Sequence, residues 1–413
     1  MHDTKSTRKK IAVMFGGRSV EHEISIITAL DLIGAIDTVK YEPVPVYIAP
    51  SGKWYSGDAL LATEFYKNMP ASFNEVKEVT LLPKPEVNGL TILSSPKDSN
   101  TWSRLFKQSS PDLIPIDIYF PVFHGSLGED GCIQGLFELA GVTYTGSDVV
   151  SAAVSMSKYH CKKFLQSHDI PVLPSALLSK ETIEAGLGAD LSGLREYAMS
   201  LPGLEKFPLF VKPANLGSSI GIAKATDAET FDAALLKAFK YDRQILVEPC
   251  LENKLELNVS VLDDKVTHVS VVEIPVSSGE ELTYEDKYMR SGKGKKGGAQ
   301  LLGMAGLTRV IDPENLAPEV KEQARQYAKE AFIKLGCAGV ARIDFMLDLS
   351  NNQLYFNEIN PLPGSLSYYL WDKSNPPLLY TDILTRIIER AELRQRLKQS
   401  VSREIGFKAL FKS

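Results

Sequence analysis

Arg342, Asp344, Glu358 and Asn360 fall within one stretch, GVARIDFMLDLSNNQLYFNEINPLPG (Gly339–Gly364), at spacings that place them on neighbouring strands. Ala341–Leu347 and Gln353–Ile359 carry apolar, β-prone residues, and Asn351-Asn352 between them supplies hairpin turn chemistry. Residues two apart on a strand share a face. Arg342 therefore joins Asp344 on one side of the first strand, and Glu358 joins Asn360 on one side of the second. Antiparallel pairing would bring Asp344, Glu358 and Asn360 together. Two carboxylates and an amide oxygen are hard ligands, suited to Mg²⁺ or Mn²⁺ held by a few protein oxygens plus substrate phosphates. Arg342 is placed to neutralise phosphate or a developing oxyanion. A surface hairpin with solvated acids has the same signature, so these four residues do not decide between the two.

The elements that would position them begin at the N-terminus. Lys10–Phe15 reads as a buried strand ending in Gly16-Gly17-Arg18-Ser19, followed by a helix with apolar positions at Ile24, Ile27, Ala29 and Leu30. Strand, glycine turn and helix open a doubly wound sheet, whose ligands sit beyond the strand ends. GGRSVEHE lacks the third glycine of a dinucleotide fingerprint, which excludes NAD there. Glu21 and Glu23 fall in the first helical turn, where acids complement the helix dipole; Glu21 could equally orient an ammonium. Glu42–Ile48 is a second strand, residues 50–112 form an insertion with short strands of its own, and Ile116–Val122 is the next strand. It runs into a glycine-rich loop with His124, then a helix from Cys132 to Ala140. His124 suits loop packing as well as ligand contact, and Lys158, on a helix spanning Ala152–Gln166, has no claim from spacing alone.

Further on, Phe207–Lys212 is a strand that leads into ANLGSSIG (Ala214–Gly221), and a second strand returns at Gly221–Lys224. Such a loop exposes backbone N–H groups and hydroxyls to an anion, with Lys212 at its mouth, but no helix and no Gly-Lys-Ser/Thr follows, so it is no Walker A loop. A plain hairpin is the competing description. The strand Gln244–Glu248 and the linker Pro249-Cys250-Leu251 make a slot for an adenine edge. Strands Leu255–Leu262 and Val266–Ile274 precede a glycine- and lysine-rich segment, 275–308, of a length that suits a lid. A long helix, Pro313–Leu335, leads to the hairpin, and the basic tail after Leu393 reads as a solvated terminal helix.

Composition sets bounds on all this. A chain of 413 residues with 44% hydrophobic and 23% charged residues holds two or three domains of ordinary globular character. A net charge of −5 gives no support to nucleic-acid binding. Four scattered cysteines without a CxxC pair fit reduced thiols in a cytoplasmic protein, and the apolar run Ile11–Phe15 is too short for a signal core or a membrane span.

In this order the segments GGRSVEHEIS (16–25), HGSLGEDGCIQGLFELAGVTYTGS (124–147), SMSK (155–158), VKPANLGSSIG (211–221), YEDKY (284–288) and ARIDF…NEINPLPG (341–364) resemble the D-alanine–D-alanine ligase family of ATP-grasp enzymes. The resemblance covers nearly the whole chain apart from residues 50–112. It implies an α/β protein: an N-terminal doubly wound parallel-sheet domain (1–152), a central ATP-grasp subdomain (153–248) and a C-terminal one (249–413) with the lid. It further implies a cytoplasmic homodimer that joins two D-alanines at the cost of ATP, with two Mg²⁺ or Mn²⁺ ions, and no nucleic-acid or membrane partner.

Carried over by position, Lys158 and Lys212 would hold the ATP phosphates under the Gly217-Ser218-Ser219 loop, and Glu248, Leu251 and Glu256 would line the adenosine slot. Asp344, Glu358 and Asn360 would hold the metals. Glu21 would take the ammonium of the first D-alanine with His124 near its carboxylate, Tyr288 and Ser218 would tie the lid to Glu21, and Arg342 with the Gly364 N–H would form the oxyanion hole. Lys287, Ser365, Ser367 and Tyr369 would border the second substrate, with Lys287-Tyr288 the pattern of D-alanine rather than D-lactate users. Two departures stand out. Pro249 replaces a usual lysine, and PGSLSYYLW (363–371) puts Tyr369 where the family has a serine. The alternatives are a ligase with another acceptor, such as D-serine or D-lactate, and a non-catalytic nucleotide-binding regulator.

Overall fold

The structure is a computed structural model that describes residues 8–93, 112–184, 190–217, 219–276 and 309–402. Ser218, Lys287, Tyr288 and nearly all of the expected lid lie outside the described residues.

The N-terminal sheet contains β1 (Lys9–Gly16), β2 (Tyr41–Ile48), β3 (Trp54–Ser56), β4 (Lys77–Thr80), β5 (Leu90–Ile92), β6 (Leu113–Ile114) and β7 (Ile118–Pro121), in the order β6-β5-β4-β3-β2-β1-β7. Its helices are α1 (His22–Ala35), the short α2 (Thr63–Lys67) and α3 (Cys132–Ala140). The unbroken apolar run of β1 has a direct cause. Ile11, Val13 and Phe15 pack on Ile26, Ala29 and Leu32 of α1, while Ala12 and Met14 enter a core with Ile133, Phe137 and Ala140 of α3. A strand covered on both faces has no polar side to show. Only β2, β1 and β7 are parallel. The insertion does form short strands, but these do not stand apart: β3 to β6 extend the same sheet antiparallel beyond β2.

The helix expected over Ala152–Gln166 is two helices, α4 (Val149–Met156) and α5 (Lys158–Gln166), broken at an extended Ser157. The backbone N–H of Lys158 donates to Ala214 O at 2.9 Å, so the glycine-serine loop takes up the donor that a continuous helix would have used. The second sheet, β8 (Ala176–Ser179), β9 (Leu209–Pro213), β10 (Ala223–Ala225) and β11 (Gln244–Pro249), runs β10-β9-β11-β8 with antiparallel neighbours. It carries α6 (Lys180–Glu184), α7 (Leu191–Met199) and α8 (Ala228–Ala238), the last capped by a reciprocal Asp227–Thr230 box.

The third sheet runs β14-β13-β12-β15-β16, with β12 (Lys254–Asp263), β13 (Thr267–Pro275), β14 (Arg309–Ile311), β15 (Val340–Asp348) and β16 (Gln353–Asn360). Helix α9 (Pro318–Lys334) packs Val320, Ala324, Ala328, Ala331 and Phe332 onto it, and Cys161 and Leu165 of α5 join the same core. The divisions expected at residues 152 and 248 thus fall inside α4 and β11. Helix α10 (Tyr380–Gln399) buries Ile383, Leu384, Ile387 and Ile388 in a core shared with α1 and β1, together with Leu366 and Trp371. Its basic end is not merely solvated. Arg394 donates to Gly146 O, Gln395 to Gly141 O and Lys398 to Glu138, which ties the C-terminal helix to the first domain. Among the described residues, no helix is long and apolar enough to cross a membrane.

Candidate active site

The hairpin forms as its alternation requires. Asp344 stands opposite Glu358, and Arg342 opposite Asn360. Between Asp344 and Phe345 the register slips, so that Asn357 is an extra residue on β16. The bulge turns Asn357 and its neighbour Glu358 toward the same cleft, where strict alternation would have separated them. Asn357 Oδ1 accepts from Lys212 Nζ at 3.4 Å. No signal in the sequence marks Asn357, because a bulge depends on the pairing of both strands.

Each hairpin carboxylate is already met by a cation. Arg342 holds Asp344 with two hydrogen bonds of 2.7 Å, and Lys158 Nζ lies 2.8 Å from Glu358 Oε2. Asn360 Nδ2 donates to Asp344 Oδ2 at 3.2 Å. Among the described residues, no group of three His, Cys, Asp or Glu side chains is set to hold a metal. Two facing carboxylates and one amide fit instead a hard cation that draws its remaining ligands from phosphate and water. The donor set fits Mg²⁺ or Mn²⁺ on those terms.

This hairpin forms one wall of an open cleft of about 1120 Å³ between the second and third sheets. Lys158, Lys212, Gly217, Ser219, Glu248, Pro249, Leu251 and Glu256 line it. The break before α5 aims Lys158 into the cleft, where its Nζ also donates to Leu216 O at 2.7 Å. Glu248 is almost wholly buried, with Lys162 on Oε1 and Lys212 on Oε2. Burial pushes its carboxyl up, but the two lysines outweigh that and hold it below the usual carboxylate range. Lys162 was not singled out from sequence; the one hint is that it follows Lys158 by a single helical turn.

A second cavity of about 640 Å³ adjoins the first and shares Lys158, Gly217, Arg342 and Glu358 with it. Glu21, His124, Glu129, Asn360 and Gly364 also line it. Glu21 occupies the N-cap position of α1 without a side-chain cap bond and is buried, with its carboxylate against Gly125 on one side and Gly217 on the other. Burial lowers the His124 imidazole to about 4, with Thr28 Oγ1 3.0 Å from its Nε2, so this histidine is neutral at physiological pH. Glu129 belongs to the same glycine-rich loop as His124. Although it keeps some solvent-exposed surface, its surroundings are dense enough that desolvation, followed by the charge of Glu21, raises its carboxyl to about 8. A cavity with three acids, a neutral imidazole, an arginine and a lysine suits a small zwitterion.

Two models of the family cover the chain, one described as the D-ala D-ala ligase N-terminus over residues 10–147 and one as the D-ala D-ala ligase C-terminus over residues 164–389. The chain belongs to the D-alanine–D-alanine ligase family. It is 34% identical over 400 residues to the D-alanine–D-alanine ligase A of Bradyrhizobium diazoefficiens, covering 95% of this chain and 98% of that one. It is 33% identical over 400 residues to the corresponding enzyme of Caldicellulosiruptor bescii, with 96% and 98% covered. Among solved structures, the D-alanine–D-alanine ligase of Coxiella burnetii matches with a TM-score of 0.74 at 26% identity, over 95% of this chain and 96% of that one. A D-Ala:D-Ser ligase of Enterococcus faecalis matches at 0.71 and 26%, over 93% and 99%. The fold is therefore that of the ATP-grasp ligases.

The residues that follow the family's PG motif lie differently from the expectation. Ser365, Leu366 and Ser367 all take left-handed backbone angles, with φ of 50°, 49° and 51°. Such angles cost L residues on the order of 1–2 kcal/mol each, and burial holds them in place: Ser365, Leu366 and Ser367 are at most 1% exposed. None of Ser365, Ser367 and Tyr369 lines either cavity; Gly364 does. Tyr369 sits behind the wall, its ring 3.6 Å below the Arg309 guanidinium and its hydroxyl 3.4 Å from Glu273. Glu273 also takes Arg309 at 3.2 Å and Asn258 at 2.9 Å, and Arg309 and Glu273 both border the larger cleft.

Proposed function

We propose that this protein ligates two D-alanines to D-alanyl-D-alanine, converting ATP to ADP and phosphate, and so supplies a peptidoglycan precursor. The observation that carries the reading is the junction of the two cavities. An open cleft lined by Lys158, Lys212 and the glycine-serine loop and a smaller one lined by Glu21 and His124 meet at Lys158, Gly217, Arg342 and Glu358. Phosphoryl transfer to a carboxylate needs alignment and charge neutralisation more than covalent help, and this junction concentrates cationic groups where two anions must approach.

In the proposed mechanism, Lys158 and Lys212 hold the polyphosphate below the Gly217–Ser219 loop, and Leu251 and Glu256 border the adenosine. Glu21 takes the ammonium of the first D-alanine, and His124, kept neutral by burial, adds no charge beside its carboxylate. That carboxylate attacks the γ-phosphorus, and ADP leaves an acyl phosphate. Asp344, Glu358 and Asn360 would hold Mg²⁺ or Mn²⁺, which supplies further neutralisation of the phosphate oxygens. The amine of the second amino acid then attacks the acyl carbon. Arg342, fixed by Asp344, and the Gly364 N–H receive the oxyanion, and phosphate departs. Ser218, Lys287 and Tyr288, which lie outside the described residues, complete the site in this reading. We infer that the protein works as a cytoplasmic homodimer, as the resemblance implies.

The test is phosphate and ADP release over a panel of D-amino acids and D-lactate. Release with D-alanine alone, and dipeptide as product, is the expected result. Release only with a D-serine or D-lactate acceptor would move the assignment to the acceptor named for the Enterococcus relative or another, and no release with any of them would overturn ligation.

A further inference from the structure

Lys162 is fully buried and borders neither cavity, yet its ammonium reaches the nucleotide cleft through one intermediary. Its Nζ donates to Glu248 Oε1, and Lys212 Nζ lies 2.5 Å from the other oxygen of the same carboxylate. Glu248 is 1% exposed and Lys212 borders the cleft. Two ammonium groups thus divide one buried carboxylate, and burial pulls Lys162 down to about 8 without removing its proton at neutral pH. With Lys162 on one oxygen, Glu248 neutralises Lys212 only in part, and the cleft is where Lys212 would meet an anion.

We propose that Lys162 is a positioning residue for nucleotide binding: by occupying half of Glu248 it prevents that carboxylate from neutralising Lys212, which therefore presents its charge to the polyphosphate. The inference rests on the nucleotide reading given above. It differs from a packing role in a measurable way, because Lys162 acts only through the charge of Glu248. Take away Lys162 alone, and Glu248 and Lys212 close into a neutral pair. Take away both charges, and Lys212 has no carboxylate to satisfy.

The experiment is calorimetric titration of the full chain with ATP and no amino acid, for wild type, Lys162→Met, Glu248→Gln and the double variant. Lys162→Met should weaken ATP binding on the order of tenfold, the scale of one charge-assisted contact. The double variant should bind ATP more tightly than Lys162→Met, and to within about twofold of Glu248→Gln. In steady-state assays, the KM for ATP should rise in Lys162→Met while that for the amino acid holds. Wild-type affinity in Lys162→Met, or a double variant no better than Lys162→Met, would overturn the inference with the nucleotide site intact. Failure of the wild type to bind ATP would overturn the nucleotide reading itself. If Lys162→Met does not fold, the comparison of Glu248→Gln with the double variant still decides. A large further loss of affinity there would show that Lys162 acts by packing.

Discussion

Replacing Gly125 by alanine tests the amino-acid cavity at its tightest point. Gly125 has φ of +80°, and a Cβ there would stand 2.5 Å from Glu21 Oε2 and 2.6 Å from Ser19 Oγ. Non-bonded carbon and oxygen do not approach that closely, so Glu21 must rotate away. The left-handed backbone adds about 1–2 kcal/mol of strain. Both crowded partners are side chains, so the fold should survive at the cost of that strain, seen as a melting temperature lower by roughly 1–3 °C. The catalytic effect should be larger. A displaced carboxylate loses a charge-assisted contact to the substrate ammonium worth about 1.5–3 kcal/mol, or roughly 10- to 100-fold in kcat/KM for the first D-alanine. The assay is ADP release with D-alanine varied at saturating ATP, alongside ATP varied at saturating D-alanine. KM for ATP should stay near wild type. A Gly125→Ala enzyme with unchanged amino-acid kinetics would refute the assignment of Glu21 to the ammonium.

Other outcomes follow from the same geometry. Asp344→Ala should lower kcat by about 10²-fold or more, because it removes a proposed metal ligand and the partner that orients Arg342; activity with unaltered dependence on Mg²⁺ would contradict the metal assignment. The unfolded chain takes up a proton on His124 below about pH 6.5, whereas burial delays that in the folded protein to about 4. The stability tied to this group is therefore complete above about pH 6.5 and lost as pH falls towards 4, so urea midpoints of wild type and His124→Gln should differ in slope across that window and run parallel above it. Trp371→Ala should cost about 3–5 kcal/mol, since the indole is 2% exposed in the core shared by the first and third sheets and donates to Ser260 Oγ. A loss under about 1 kcal/mol in thermal or urea unfolding would mean that this core does not hold the two together.

What could be read without coordinates were the features with a short period. The two-residue alternation in ARIDF and NEIN places Arg342, Asp344, Glu358 and Asn360 on one face, and the strand pair obeys it. The helix Cys132–Ala140 was equally legible, since apolar spacing and glycine punctuation act within a few residues. Family motifs extended this to Glu21, His124, Lys158 and Lys212, all of which border one cavity or the other. Three features were closed to such a reading because their causes lie far off in the chain. Ser157 breaks a continuous apolar pattern because Ala214 O claims the Lys158 N–H. Ser365 and Ser367 turn inward because the core around Leu366 and Trp371 holds three left-handed residues. Glu248 serves Lys162 as well as Lys212, a partnership across 86 positions of sequence. The sequence by itself determined that Arg342, Asp344, Glu358 and Asn360 share one face of the strand pair; only the tertiary structure turned Asn357 into the cleft and decided which charges neutralise one another there, because alternation is local, a bulge depends on both strands, and a buried charge takes whatever partner the fold brings near.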